Sequence, residues 1–185
     1  NYVRYSGRLA EALNETLPNG AIWANQFDNV ANRDGHIRTT GPEIWRQTDG
    51  AVDVLVAGVG TGGTISGAAR YLKEQKPDLL VVGADPEGSI YSGGVHPYLT
   101  EGIGEDFWPT TFDPSLVDRY VRVSDRDAFR MARRLTREEG ILAGESCGTA
   151  MIAALDEAAR LVRDEPATAR DAVIAAGSPL DVDGS

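Results

Sequence analysis

Two short apolar runs, separated by a glycine-rich turn and a helix-forming segment, constrain the fold of this chain more than any other feature. The runs cover residues 52–57 and 79–84, and both are apolar on two faces for most of their length, which is typical of strands buried inside a parallel sheet. Between them, 64–75 places Ile65 and Leu72 on one helical face. The order strand, helix, strand predicts an α/β fold, three-layer, with a mostly parallel sheet flanked by helices.

The remaining secondary structure is predicted from periodicity and from capping signals. A Thr40-x-x-Glu43 pattern marks a helix start, and Ser124 and Gly140 mark the beginning and end of another helix. The polar stretch 25–38 is predicted to be an ordered surface loop. The other predicted elements are helices over 6–17, 42–47 and 151–163 and strands over 21–24, 120–123 and 172–176.

Composition excludes several classes of function. The formal net charge is −10, so the chain lacks the basic surface that binds a phosphate backbone, and no nucleic-acid partner is expected. No apolar run approaches the roughly 20 residues needed to span a bilayer, and no leader opens the chain, so no membrane partner is expected. The single cysteine, Cys147, excludes an intrachain disulfide, and a reduced, cytoplasmic location is predicted.

The glycine-rich turn 58–64 is the strongest candidate for a binding site. It follows a predicted buried strand and precedes a helix, where backbone N–H groups without partners and the helix dipole favour an anion. Thr61 and Thr64 add hydroxyl groups, so the turn suits a phosphate monoester that is bound without a metal.

The glycine-rich turn by itself is also compatible with other interpretations of its function. Gly58, Gly60 and Gly63 also match a dinucleotide fingerprint, and Asp85 stands at the end of the next predicted strand, where an acid that binds ribose is expected. An NAD-binding oxidoreductase is therefore an alternative, as is a turn without a ligand. A nucleoside triphosphate is disfavoured because no Gly-Lys-Ser/Thr follows.

A series of motifs resembles the cystathionine β-synthase and cysteine synthase family of pyridoxal-phosphate (PLP) enzymes. The motifs are segments 25–29, 38–45, 58–65, 84–89, 101–104 and 139–148. They occur in the family's order across most of the chain, and segments 85–94 and 98–109 look more similar to cystathionine β-synthase. The resemblance implies the tryptophan synthase β-like PLP-dependent fold, of which this chain would be the C-terminal large domain.

The resemblance assigns roles to individual residues. The residues implied to hold the PLP phosphate are Gly60, Thr61, Gly62, Gly63 and Thr64. Ser146 looks like the residue that faces the pyridine nitrogen, with an N-cap as the alternative. Gln26 resembles a glutamine near the substrate carboxylate, and Glu101 and Gly102 resemble the segment that closes over the substrate; a loop-bracing amide and a surface turn are the alternatives. Cys147 is expected to be buried.

The implied reaction is the condensation of serine with homocysteine to cystathionine, in a homodimer that acts on small amino acids. Joining sulfide to O-acetylserine is the alternative within the family, and a non-catalytic binding partner is the alternative outside catalysis. The resemblance also implies a Schiff-base lysine. The only lysines, Lys73 and Lys76, fall at the far end of the helix after the turn, so the chain alone is predicted to be inactive.

The same resemblance predicts the domain organisation. Residues 1–25 are expected to be the remnant of an N-terminal domain, with a helix and a short strand, and 26–185 to form the PLP-binding α/β domain. Because the chain begins with Asn1 and ends in turn-forming residues, it is expected to be a fragment that lacks the lysine-bearing part and is truncated at the C-terminus. Two departures from the family are noted: 29–33 lacks its prolines, and 177–180 replaces a segment that would wall the cofactor pocket.

Overall fold

A parallel sheet forms the centre of the structure, which is a computed structural model that describes residues 2–164 and 174–175. The four strands in these ranges are β1 (Val54–Gly58), β2 (Leu80–Pro86), β3 (Arg119–Val123) and β4 (Ile174–Ala175). Their order is β3-β2-β1-β4, and every neighbouring pair is parallel. The three pairings require crossover connections; helices lie between β1 and β2 and between β3 and β4, whereas the connection from β2 to β3 contains only one short 3₁₀ turn.

Helices cover both faces of the sheet. The helices in the described ranges are α1 (Tyr2–Thr16), α2 (Ala31–Arg38), α3 (Thr40–Gln47), α4 (Gly63–Gln75), α5 (Asp125–Glu139) and α6 (Glu145–Asp164), with a 3₁₀ turn at Pro114–Leu116. Of these, α4 packs on one face of the sheet, and α5 and α6 pack on the other. None of the helices in the described ranges is long and apolar enough to cross a membrane.

Alternate residues of β1 serve two different cores. Leu55 packs in one cluster with Ile65 and Leu72 of α4, whereas Val54 and Val56 pack in a second cluster with α5 and α6. Successive side chains of a strand point to opposite faces, so the two clusters are the two interfaces of a three-layer domain. The predicted fold class is confirmed.

The structure contradicts two predictions in the N-terminal part. Residues 21–24 form no strand, and Ile22 is 98% exposed. The stretch predicted as a loop contains the helix α2, which lies against α4: a methyl group on Gly67 would come within 2.5 Å of the carbonyl oxygen of Arg33. The helix is stabilised by this close backbone approach and not by an apolar face. Its polar sequence therefore has no hydrophobic periodicity from which a helix could be predicted.

Capping signals predicted both ends of α5 correctly but placed the start of α3 two residues too late. The Ser124 hydroxyl accepts a hydrogen bond from the Asp127 N–H group at the start of α5, and Gly140 ends that helix at φ +70°, as predicted. Helix α3 begins at Thr40, two residues before its predicted start, and the Thr40 hydroxyl contacts His36 and does not cap the helix.

The C-terminal half also departs from the predicted boundaries. Helix α6 begins at Glu145 and not near residue 151, because its first turns consist of small residues without an apolar period. Strand β4 lies inside the predicted 172–176. The stretch 177–180, expected to wall the cofactor pocket, lies outside the described residues.

Candidate functional site

Three consecutive carbonyl groups of the turn between β1 and α4 are held by donors from elsewhere in the chain. The pairs are the Gly104 N–H with the Val59 oxygen (2.7 Å), the Tyr91 hydroxyl with the Gly60 oxygen (2.6 Å) and the Thr111 hydroxyl with the Thr61 oxygen (2.5 Å). Each donor comes from the connection between β2 and β3, so this connection fixes the orientation of the turn.

Fixing the carbonyl groups also fixes the N–H groups. In a trans peptide the N–H points away from the carbonyl that precedes it, and the described part of the chain has no cis peptide. The N–H groups of Gly60, Thr61 and Gly62, and that of Thr64 at the start of α4, donate to no acceptor within these residues. Consecutive unpaired N–H groups at a helix N-terminus form a site for an anion.

Thr61 adds a hydroxyl donor to this set. Its oxygen accepts hydrogen bonds from the side-chain amide of Asn32 (3.1 Å) and from the N–H of Gly63 (3.3 Å). Because both partners are N–H donors, the hydroxyl proton of Thr61 remains available to a ligand. The Thr64 hydroxyl is exposed and lies 3.1 Å from the Nε2 atom of His36, so its proton depends on the tautomer of that ring.

Two glycines of the turn are required by close packing as well as by conformation. Gly62 has φ +76°, and a methyl group there would overlap the side chain of Phe112. A methyl group on Gly60 would lie 2.7 Å from the carbonyl oxygen of Gly102. The crowding at both glycines therefore comes from the protein itself.

A segment that we call the strap, residues 99–104, connects the turn to helix α6. Its Gly102 carbonyl lies against Gly60, and its Glu101 N–H donates to the carboxylate of Glu145 at 3.1 Å. Glu145 is the first residue of α6 and directly precedes Ser146. The structure thus brings together the turn, Glu101, Gly102 and the start of α6, which the sequence had placed in one site.

Gln26 reaches the turn through its backbone. Its carbonyl accepts a 2.8 Å hydrogen bond from the Asn32 amide that also donates to Thr61. The Gln26 side chain is exposed and makes no hydrogen bond to the described residues, so the loop-bracing alternative is not observed. Asn32, Tyr91 and Thr111 contact the turn and were missed by sequence reasoning. Tyr91 stands in a segment noted for its family resemblance and Asn32 in one noted as a departure from the family, but nothing in either segment indicates a contact with the turn.

Comparisons with known proteins agree with this geometry. A family model described as pyridoxal-phosphate dependent enzyme matches residues 2–169. The chain belongs to this family. It is 41% identical over 172 residues to a cystathionine β-synthase of Apis mellifera, a match that covers 90% of the chain and 33% of the relative. It is 46% identical over 155 residues to cysteine synthase 3 of Caenorhabditis elegans, covering 83% of the chain and 46% of the relative.

A solved structure shows the same fold. The crystal structure of O-acetylserine dependent cystathionine β-synthase from Helicobacter pylori superposes with a TM-score of 0.78 at 38% identity, covering 86% of this chain and 51% of that one. The chain therefore spans about a third to a half of the length of the relatives named here.

The residues present fit the cofactor of this PLP-dependent family. PLP carries a phosphate monoester, and the unpaired N–H groups of the turn with the Thr61 hydroxyl are the donors that such an anion needs without a metal. Ser146 lies in the first turn of α6, is half-buried, and its hydroxyl has no partner in the described part of the chain. It is therefore not used as an N-cap and is available to a ligand.

Asp85 does not provide what the dinucleotide alternative requires. Its side chain is fully buried, and one carboxylate oxygen accepts a hydrogen bond from the Ser92 hydroxyl. Burial raises the pKa of this carboxyl above its usual range, against the lowering effect of hydrogen bonds from Ser92 and Ser89. A buried acid cannot hold the ribose of a nucleotide, and the cofactor of the family is PLP.

Neither lysine is near the turn. Lys73 forms a 2.8 Å ion pair with Asp118, and Lys76 pairs with Asp53. Lys73 stands ten residues after Gly63 in α4, which places it about 15 Å from the start of the helix.

The one cysteine, Cys147, is exposed, so the prediction that it is buried was wrong.

Proposed function

We propose that this chain supplies the phosphate- and ring-binding part of a PLP-dependent enzyme that carries out β-replacement on serine, with homocysteine as the incoming thiol and cystathionine as the product. The single observation that carries the proposal is the set of consecutive N–H groups at Gly60, Thr61 and Gly62, which have no acceptor in the described residues and each of which follows an anchored carbonyl. Such a set recognises one phosphate group.

Each side chain of the site has a part in this proposal. The turn binds the phosphate through its N–H groups and the Thr61 hydroxyl. Ser146 faces the pyridine nitrogen with a neutral hydroxyl, which does not stabilise a protonated nitrogen as a carboxylate would. When bound, the cofactor supplies an electron sink, and the Ser146 hydroxyl keeps that sink weak, which suits a reaction whose leaving group departs early.

The substrate is held between the strap and the loop that contains Gln26. We assign the Gln26 side chain, which is exposed, to the substrate carboxylate, and Glu101 and Gly102 to closure over the substrate. The contact between Gly102 and Gly60 supports this assignment, since it places the strap directly beside the phosphate turn. Closure would exclude water from the reacting groups.

Homocysteine is favoured over sulfide by the similarity of segments 85–94 and 98–109 to cystathionine β-synthase. Cysteine synthase activity, with O-acetylserine and sulfide, is the second candidate, because a cysteine synthase is 46% identical to the chain. Since Lys73 and Lys76 are both ion-paired at the far end of α4, we propose that the chain by itself has neither activity.

Calorimetric titration of the purified chain with PLP tests the phosphate site. We expect binding that inorganic phosphate competes for, and a loss of affinity of about fivefold to tenfold in Thr61→Ala. Thr16→Ala is the matched control, because the Thr16 hydroxyl bonds only to carbonyls of α1. Binding of NAD in place of PLP would overturn the proposal.

A fusion to the lysine-bearing segment of a related cystathionine β-synthase tests the choice of thiol. Rates are compared for serine with homocysteine and for O-acetylserine with sulfide. We expect the first pair to react faster. If the second pair is faster, cysteine synthase is the correct assignment while the phosphate site is unaffected.

A further inference from the structure

Three successive N–H groups of the strap donate to carboxylates that begin two different helices. Asp125, the first residue of α5, accepts from the N–H groups of Leu99 (2.8 Å) and Thr100 (2.9 Å), and from the Thr100 hydroxyl (2.8 Å). Glu145, the first residue of α6, accepts from the next N–H, that of Glu101. Each carboxylate stands at the N-terminus of its helix, where the helix dipole favours a negatively charged acceptor.

The two helix starts are fixed relative to each other. A methyl group on Gly148 of α6 would overlap the carbonyl of Ala128 in α5, so the helix backbones touch within one turn of the two carboxylates. Asp125 and Glu145 are therefore held on one rigid support, which also carries Ser146.

The strap is attached unequally along its length. Asp125 holds one end by three hydrogen bonds, and the Gly104 N–H holds the other end to the Val59 carbonyl at 2.7 Å. Between them, Glu101 is attached only through Glu145 at 3.1 Å within the described residues. Gly102 has φ +83°, and no atom lies within 4 Å of where its side chain would be, so the middle of the strap is open on that side although its carbonyl lies against Gly60.

We propose that Glu145 is a positioning residue that latches the middle of the strap to the helix carrying Ser146. Breaking the one hydrogen bond to Glu101 releases residues 101 and 102, while Asp125 and Val59 retain the two ends. The latch thereby sets the distance between Gly102 and Ser146, which is the space that a small amino acid enters. This last step rests on the proposed function; the latch itself does not.

Amide hydrogen exchange of the 185-residue chain, resolved by NMR, tests the latch. Glu145→Ala is expected to raise the exchange rate of the Glu101 amide by about fivefold, the effect of losing one hydrogen bond. Glu145→Gln retains an acceptor oxygen and is expected to restore most of the protection. The amides of Thr100 and Gly104 serve as internal references and are expected to keep their rates.

The outcomes are distinct. The latch is refuted if the Glu101 amide is unaffected in Glu145→Ala, or if Thr100 and Gly104 exchange faster by the same factor, which would indicate general loosening. PLP titration of the same variants separates this proposal from the previous one. We expect Glu145→Ala to bind PLP within twofold of the original chain. A chain that binds no PLP refutes the cofactor assignment, and the exchange rates still decide the latch.

Discussion

The phenolic hydroxyl of Tyr91 donates a 2.6 Å hydrogen bond to the carbonyl oxygen of Gly60. Tyr91 is 6% exposed, and burial, with the nearby charges of Glu105 and Asp85, raises the pKa of its hydroxyl well above the usual value. The group therefore keeps its proton and remains a donor at any physiological pH. The peptide between Gly60 and Thr61 is held in one orientation, with the Thr61 N–H pointing away from the Gly60 carbonyl.

Replacing Tyr91 with Phe removes this donor and leaves the Gly60 carbonyl without a partner. We expect the free energy of unfolding to fall by about 1–3 kcal/mol, and PLP affinity to fall by about fivefold or more. Urea unfolding and calorimetric titration measure the two effects. Tyr98→Phe is the matched control, because the half-buried Tyr98 hydroxyl makes no hydrogen bond to the described residues; an equal loss in both variants would argue against the anchoring role.

Replacing Gly62 with Ala tests the conformation of the turn. The left-handed φ and the overlap with Phe112 together predict a loss of at least about 2 kcal/mol in unfolding free energy. Gly35→Ala is the control: it lies in α2 with no atom within 4 Å of the added methyl, and should stabilise the chain by about 0.5–1 kcal/mol. Thermal and urea unfolding compare the two; a neutral Gly62→Ala would mean that the turn adjusts freely.

Glu105 makes stability depend on pH. Burial, with repulsion from Asp106, raises its pKa from 4.5 to about 7. Between these values the folded chain binds more protons than the unfolded chain, so the free energy of unfolding falls as pH rises from about 4.5 to about 7. Glu105→Gln removes this loss and should be more stable than the original chain at pH 8, by about 1 kcal/mol for a half-exposed group.

Urea unfolding at pH 5 and pH 8 measures this difference. Glu87→Gln, at an exposed glutamate, is the control and should follow the original chain at both values. If Glu105→Gln and the original chain have the same pH profile, the carboxyl titrates like an exposed one and the burial argument is wrong.

The two lysines are predicted to form no covalent link to the cofactor. Both ammonium groups are ion-paired on α4, and Lys73 is separated from the turn by most of that helix. After incubation with PLP and reduction with borohydride, peptide mass spectrometry should find no stoichiometric adduct on Lys73 or Lys76. A trapped adduct accompanied by turnover would contradict the prediction.

The sheet was predictable because its strands carry their own signal. Val54, Val56 and Val82 stand in unbroken apolar runs, and such runs fit a parallel sheet covered on both sides. Helix α2 was missed for the opposite reason. It is stabilised because Gly67 lets its backbone approach α4. This contact joins distant segments, so it cannot be predicted from a local pattern of residues.

The site was predictable only in part, for a similar reason. The turn can be recognised in the sequence by its glycines. The groups that orient it, Tyr91 and Thr111, stand about 30 and 50 residues after the turn in the sequence. A hydrogen bond from a tyrosine or threonine hydroxyl to a distant carbonyl produces no recognisable pattern in the local sequence. The one available signal for Asn32 was its place inside the segment 29–33, whose missing prolines marked a departure from the family without indicating a contact to Thr61.

Where Gly102 approaches Gly60, one border of the site consists of two backbone segments in direct contact. A side chain on Gly60 would run into the Gly102 carbonyl and push the two segments apart, and a side chain on Gly102 would strain its left-handed backbone without meeting another group. Any redesign of what this protein accepts would therefore have to be made on the opposite border, at Gln26 and around Ser146, where side chains are present to be changed.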